Sequence, residues 1–165
     1  MVKIKNKTMH ITAILAMDHS LLIWARNALP WHIPEDMKRF KELTLWGIVV
    51  MGKNTYLSLP DKVRPLPGRR NIVITREAIE WVECYSSIES FISRIKTESD
   101  QKCYLIGGWS LYNQFFDKGL VDSVELTLVD GVHEWDIYVR EFRSQFRKMS
   151  SDIFDQWQFI SLIKE

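Results

Sequence analysis

Cysteine is scarce. The 165 residues hold two, Cys84 and Cys103, in no paired metal spacing and with no sign of a disulfide framework, which fits a reduced, cytoplasmic setting. The four histidines, His10, His19, His32 and His133, form no zinc ligand pattern and read as solvated surface residues, so no metal is expected. Excess charge of either sign is missing: 22 Lys and Arg against 21 Asp and Glu leave a formal net charge of +1. That removes a strong electrostatic case for nucleic acid or an acidic membrane surface. No apolar run reaches membrane-spanning length. The first eight residues are basic and lack the apolar stretch of a signal peptide, so 1–8 read as a tail and 9–165 as a single domain. Nothing repeats internally.

What is present is an ordinary core-forming composition, 46% hydrophobic and 26% charged, enough to build a core without staples. Short apolar runs alternate with amphipathic ones. Ile11 to Met17, Ile48 to Met51, Asn71 to Thr75 and Cys103 to Ile106 read as buried strands. Pro34 to Leu45 opens with proline and two acids, which suits a first helical turn. Ser87 to Lys96 carries Ile88, Phe91, Ile92 and Ile95 on one helical face, and Ser110 to Phe116 follows a Gly-Gly. Ser123 to Asp130, Phe146 to Phe154 and Gln156 to Lys164 read as strands, with a tight turn at Asp155. The expected fold class is α/β: a mostly parallel twisted sheet, helices on both faces and an antiparallel C-terminal hairpin. Asp18 to Ile33 and Pro60 to Arg69 are long loops, and a ligand is expected at the carboxyl edge of the sheet.

Asp36 falls in the first turn of the Pro34 helix, with Phe40 one turn on and Trp31 and Ile33 just before it. A carboxylate among such side chains is desolvated and suited to proton management or to gripping an amidine-like group. Taken alone, it is most simply a complement to the helix dipole. Gly52 allows a tight exit from a strand into Lys53, Asn54 and Thr55, whose N–H groups open a helix and can hold an anion. Thr75-Arg76 and Gly107-Gly108 end two further strands in residues that suit phosphate. Taken singly, each is ordinary α/β turn chemistry.

Together these stretches resemble the dihydrofolate reductase family. The similarity is carried by Leu29-Pro30-Trp31 with Pro34, Asp36, Phe40-Lys41 and Thr44, by Val50 to Thr55 with Ser58, and by Arg64 to Asn71. Ile72 to Arg76 follows, and then Leu105 to Gly108 with Tyr112; the likeness runs from about Met9 to Asp136 and thins beyond. The resemblance implies hydride transfer from NADPH to C6 of dihydrofolate with protonation at N5. It implies a catalytic set of Asp36, Trp31 and Thr127, with Asp36 binding the 2-amino and N3 edge and Thr127 bonded to it. Ile14, Phe40, Leu59, Arg69 and Ile106 would form the substrate site, Arg69 clamping the glutamate carboxylate. Ala16, Ile23, Gly52, Lys53, Asn54, Thr55, Thr75, Arg76, Gly107, Gly108 and Tyr112 would hold the cofactor, with Lys53 and Arg76 favouring a 2′-phosphate. A cis Gly107–Gly108 peptide and a monomer are expected. Ile14 stands where the family usually has a small residue, and Ile137 to Arg140 lacks the family's usual Thr-x-Phe-Pro.

Tryptophan is the anomaly, seven residues against seven glycines. Trp24, Trp46, Trp109 and Trp135 stand where this family commonly has glycine or another small residue, although an indole is penalised at a glycine turn. One cause would account for all four, UGA codons that the source reads as glycine, written here as tryptophan; the alternative is that the tryptophans are genuine and the loops have adapted. Trp81 and Trp157 read as core or strand residues. Two other readings stay open: a non-catalytic pterin or nucleotide-binding relative, and another pyrimidine or pterin reductase on the same fold.

Overall fold

The computed structural model describes residues 9–24, 32–98, 101–131 and 137–165. The 1–8 tail, Trp31, His133, Trp135 and much of the Asp18–Ile33 loop lie outside these. In chain order the strands are β1 (Ile11–Asp18), β2 (Leu22–Trp24), β3 (Ile48–Gly52), β4 (Arg70–Ile74), β5 (Glu83–Tyr85), β6 (Cys103–Leu105), β7 (Ser123–Val129), β8 (Ile137–Tyr138), β9 (Phe146–Ile153) and β10 (Trp157–Lys164). The helices are α1 (Pro34–Thr44), α2 (Lys53–Ser58), α3 (Ile88–Glu98) and α4 (Trp109–Asp117).

Eight strands form one sheet in the order β5-β4-β3-β6-β1-β7-β10-β9. The six strands from β5 to β7 run parallel. At β10 the direction reverses, and β10 pairs antiparallel with both β7 and β9. The C-terminal hairpin therefore closes one edge, as its sequence pattern predicts. Its bend is held by a Phe154 N–H to Trp157 carbonyl bond of 2.8 Å.

Alternation along β3 shows how the layers form. Ile48 and Val50 face one core with Phe91 and Ile95 of α3 and Phe115 of α4. Val49 and Met51 face the other with Tyr56 of α2, against which Phe40 and Leu43 of α1 also pack. A two-residue period sends successive side chains to opposite faces, so a strand buried on both sides must be apolar throughout. All four of these β3 side chains are fully buried.

Three strands escape the sequence pattern. β5 is only three half-buried residues long, and β2, inside what reads as a loop, pairs with the two-residue β8 as a separate ribbon. The Pro60–Arg69 loop is instead held by one buried side chain. Asn71 accepts from the Leu66 N–H at 2.8 Å and donates to the Leu66 and Arg69 carbonyls at 3.0 Å each.

One residue is corrected outright. Trp81 belongs neither to the core nor to a strand: it is 90% exposed in the turn before β5, with φ of 66°. Trp46 also has φ of 66° and is 73% exposed. Trp24 lies on strand β2 and Trp109 opens α4, so the left-handed strain expected of a glycine position is found at Trp46 and not at these two.

Candidate active site

A cleft of about 1430 Å³ opens at the carboxyl ends of the parallel strands, between α1, α2 and the turns after β3 and β6. Strands that end in loops on one edge leave a crevice there, and the helices on either side supply its walls. Thirteen of the expected site residues line it. Ile14 and Ala16 come from β1, Ile23 from β2, Asp36 and Phe40 from α1, and Asn54 and Thr55 from α2. Leu59, Arg69, Ile106, Gly107, Gly108 and Tyr112 complete the set. The lining is mainly apolar, with few polar groups converging on it, the usual composition of a small-molecule site.

Asp36 is the acid of this cleft. It sits three residues into α1, after a cap at Ile33, with its N–H bonded to the Ile33 carbonyl at 3.0 Å. The Thr127 hydroxyl, 2% exposed on β7, donates to Asp36 Oδ1 at 2.5 Å. Burial pushes the Asp36 pKa above the usual carboxylate range, while the Thr127 bond and the Arg39 charge pull it partly back. Desolvation wins because a carboxylate loses more water solvation here than one hydroxyl returns. On the other flank, the Tyr112 hydroxyl donates to the Ile14 carbonyl at 2.6 Å, and burial raises its pKa, keeping it neutral.

The two glycine-bearing turns meet. The Gly52 N–H donates to the Gly107 carbonyl at 2.9 Å, and the Gly107–Gly108 peptide is cis. Gly107 has φ of +137°, and a Cβ on it would stand 3.1 Å from Thr55 Oγ1. A Cβ on Gly108 would stand 3.3 Å from the same oxygen. Side chains at these two positions would fill the space between the turns, so the glycines keep open a backbone-lined cradle at the start of α4.

Gly52, Lys53, Thr75, Arg76 and Thr127 do not line the cleft itself. Lys53 forms an ion pair with Glu77, and the Glu77 N–H donates to Thr75 Oγ1 at 3.2 Å. Lys53, Thr75 and Glu77 therefore cluster beside the turn after β4. Arg69 Nε donates to the Pro67 carbonyl at 2.9 Å and its Nη1 to Thr44 Oγ1 at 3.2 Å, which holds the guanidinium at the cleft wall. Trp31 lies outside the described residues. His10, His19 and His32 lie at the surface, and among the described residues no group of acids, histidines and cysteines could hold a metal.

Sequence reasoning missed Arg39 and Glu125, which bond to each other at 2.5 Å beside Asp36 and Thr127. The available signal was their spacing: Arg39 is one residue before Phe40 on α1, and Glu125 is two before Thr127 on β7. It also missed Met37, Leu45 and Leu57, exposed apolar side chains around the cleft, where Trp46 and Trp109, singled out from the sequence, also stand.

A family model described as dihydrofolate reductase matches residues 10–159, which carries the likeness past Asp136 into the C-terminal hairpin. The dihydrofolate reductase of Neisseria gonorrhoeae is 39% identical over 142 residues, covering 84% of each chain. That of Bacillus subtilis is 34% identical over 149 residues, covering 86% of this chain and 83% of its own. The dihydrofolate reductase of Mycobacterium leprae is 45% identical over 103 residues, a stretch covering 55% of this chain and 61% of that protein.

Proposed function

The chain belongs to the dihydrofolate reductase family and reduces dihydrofolate, and from that premise we propose that NADPH is the reductant and Asp36 the acid that holds the pterin. The observation that carries this reading is a half-buried carboxylate, held by Thr127 and raised in pKa by burial, inside an apolar cleft. When bound, NADPH supplies a hydride to C6 of the pterin. Its phosphates fit the chemistry of the cradle where the Gly52 turn meets Gly107 and Gly108, the two positions at which a side chain would crowd Thr55, and Asn54 and Thr55 add polar groups at the opening of α2.

Ionised Asp36 accepts hydrogen bonds from the 2-amino and N3 edge of the pterin, which fixes the ring's orientation. Negative charge on that edge raises the proton affinity of the ring, and water delivers the proton to N5. Thr127 keeps the carboxylate aimed. Phe40 and Leu59 pack on the pterin and benzoyl rings, with Ile14 and Ile106 forming the rest of the substrate wall. Arg69, held by Pro67 and Thr44, is set to meet the glutamate carboxylate. Tyr112, Ala16 and Ile23 border the nicotinamide side, and Trp31 belongs to the same set by its place in the motif. Lys53, Thr75 and Arg76 are assigned to a 2′-phosphate, which on binding would compete with Glu77 for Lys53. We also read residues 9–165 as one domain, acting as a cytoplasmic monomer without nucleic acid. Among the described residues no helix is long and apolar enough to cross a membrane.

The test follows loss of reduced nicotinamide absorbance on adding dihydrofolate, with NADPH and NADH compared and repeated on Asp36→Asn. Turnover that prefers NADPH and collapses in the variant is expected. Equal rates with both nucleotides would refute the cofactor assignment, and an active variant would refute the role of Asp36.

A further inference from the structure

Helix α1 is fastened to β7 twice. Thr127 holds Asp36, and one helical turn further on Arg39 Nη2 meets Glu125 Oε2 at 2.5 Å. Glu125 and Thr127 are two residues apart, so they stand on one face of the strand. Their register partners on β10 are Ser161 and Phe159. The Ser161 hydroxyl donates to the same Glu125 oxygen at 2.8 Å, and the Arg39 guanidinium lies 4.5 Å over the Phe159 ring. Both charged side chains are largely covered, 24% and 20% exposed, so water screens them less than a surface pair.

The pair carries no net charge while intact. Opened from either end, it leaves one uncompensated charge a single turn from Asp36, positive if Glu125 is neutralised and negative if Arg39 is. We propose that the Arg39–Glu125 pair is a positioning element of the active site, which docks α1 on β7 and sets the pH range in which Asp36 is ionised. This rests on the reading of Asp36 as the pterin-binding acid. The other charged groups on α1 are Glu35, Lys38, Lys41 and Glu42, all exposed, and Tyr112 on α4 and Tyr104 on β6 both have raised pKa values. From β10 the facing groups are Phe159 and Ser161, neither charged.

The experiment measures binding of 2,4-diaminopyrimidine, whose amidine edge needs an ionised Asp36, against pH for the full chain and for Arg39→Met, Glu125→Gln and Arg39→Lys. Methionine keeps a side chain over Phe159, and urea midpoints verify folding. The pKa governing binding should rise by about half a unit in Arg39→Met and fall by a similar amount in Glu125→Gln, with Arg39→Lys close to the parent. A purely structural clamp would weaken binding without opposed shifts, so coincident profiles, or shifts of one sign, overturn the proposal. In Asp36→Asn the acid-side dependence should vanish, leaving only the titration of the ligand's own ring nitrogen. If it persists, the reading of Asp36 itself fails; if it vanishes while the other profiles coincide, only the role of the pair fails.

Among the described residues, three that are not glycine have φ in the left-handed region: Leu21, Trp46 and Trp81. Leu21 packs against the core and is tied by its N–H to the Asp18 carbonyl at 3.1 Å. Trp46 is likewise tied by its N–H, to the Gly68 carbonyl at 2.8 Å, but neither tryptophan gains burial of its indole, each being mostly in solvent. Trp46 directly follows the C-cap of α1, the position where a left-handed glycine commonly ends a helix. We infer that residues 46 and 81 are glycines in the protein made by its own source, encoded by UGA, and that position 81 belongs with 24, 46, 109 and 135. Codon determination and the masses of the corresponding peptides from source-derived protein test this. UGA codons with glycine-containing peptides are expected. A UGG codon at 46 or 81, or a tryptophan-containing peptide covering either, overturns it.

Discussion

Thr127 on β7 and Asp36 on α1, 91 residues apart, are joined by a 2.5 Å hydrogen bond in which the hydroxyl donates to the carboxylate. The bond stabilises the charged form of an acid that burial otherwise drives toward neutrality. Thr127→Val keeps the shape and removes the donor. The Asp36 pKa should then rise further and pterin affinity should fall by about 1.5–3 kcal/mol at neutral pH, the usual worth of a hydrogen bond to a charged group. Ligand titrations across pH test this; affinity equal to the parent's at every pH would show that the hydroxyl does not support the acid.

Asp36 also sets activity against stability. Its folded pKa lies above the unfolded value, so the folded state resists losing that proton. The resulting destabilisation is absent at low pH, grows as pH rises from the unfolded pKa through the folded one, and is complete above it. Asp36→Asn removes the charge and keeps an oxygen to accept from Thr127. The variant should be more stable than the parent at neutral pH, with the difference shrinking on acidification, while turnover falls by about 10²-fold or more. Urea melts at several pH values and the absorbance assay measure the two sides, and a variant less stable at neutral pH would contradict the argument.

Legibility followed the range of the interaction. β1 and β3 are plain in the sequence because burial on both faces demands unbroken apolar residues, and α1 because proline and two acids mark its start. Asp36, Phe40 and the glycine turns were found through a motif that is local in the chain. Arg39–Glu125 was not, because its one cue, the nearness of each residue to Phe40 or Thr127 in the chain, does not join two residues 86 positions apart. β5 is three half-buried residues whose pairing with β4 is a tertiary matter. Trp81 was misplaced for a different reason: an indole reads as apolar content, whereas its position is set by a backbone dihedral that composition does not reveal.

Glu77 opens a question of cofactor choice. Its carboxylate pairs with Lys53, which lowers its pKa and keeps it ionised throughout the neutral range. A nucleotide carrying a 2′-phosphate must compete with that carboxylate, whereas one carrying a 2′-hydroxyl need not. Glu77→Gln should therefore strengthen NADPH binding a few-fold and leave NADH nearly unchanged. The gain should diminish at high salt because both side chains are exposed. Fluorescence titrations with both nucleotides at two ionic strengths decide the matter; equal effects on the two would remove the 2′-phosphate from this corner of the fold.

The left-handed tryptophans make a prediction about stability that is independent of the genetic one. A residue with a Cβ in this region carries about 1–2 kcal/mol of strain that glycine does not, although glycine loses more backbone entropy on folding. At Trp81 the indole is 90% exposed, so almost no burial is forfeited on removing it. Trp81→Gly should raise stability by about 0.5–1 kcal/mol in urea melts without altering turnover, since the residue does not line the cleft. Trp46 does line it, so Trp46→Gly should stabilise similarly and also alter ligand affinity. Trp109 starts a helix with ordinary backbone geometry, and Trp109→Gly should therefore act on cleft binding with no gain from relieved strain. Loss of stability in Trp81→Gly would mean that the turn before β5 draws support from the indole, and strain would then be the wrong account of this position.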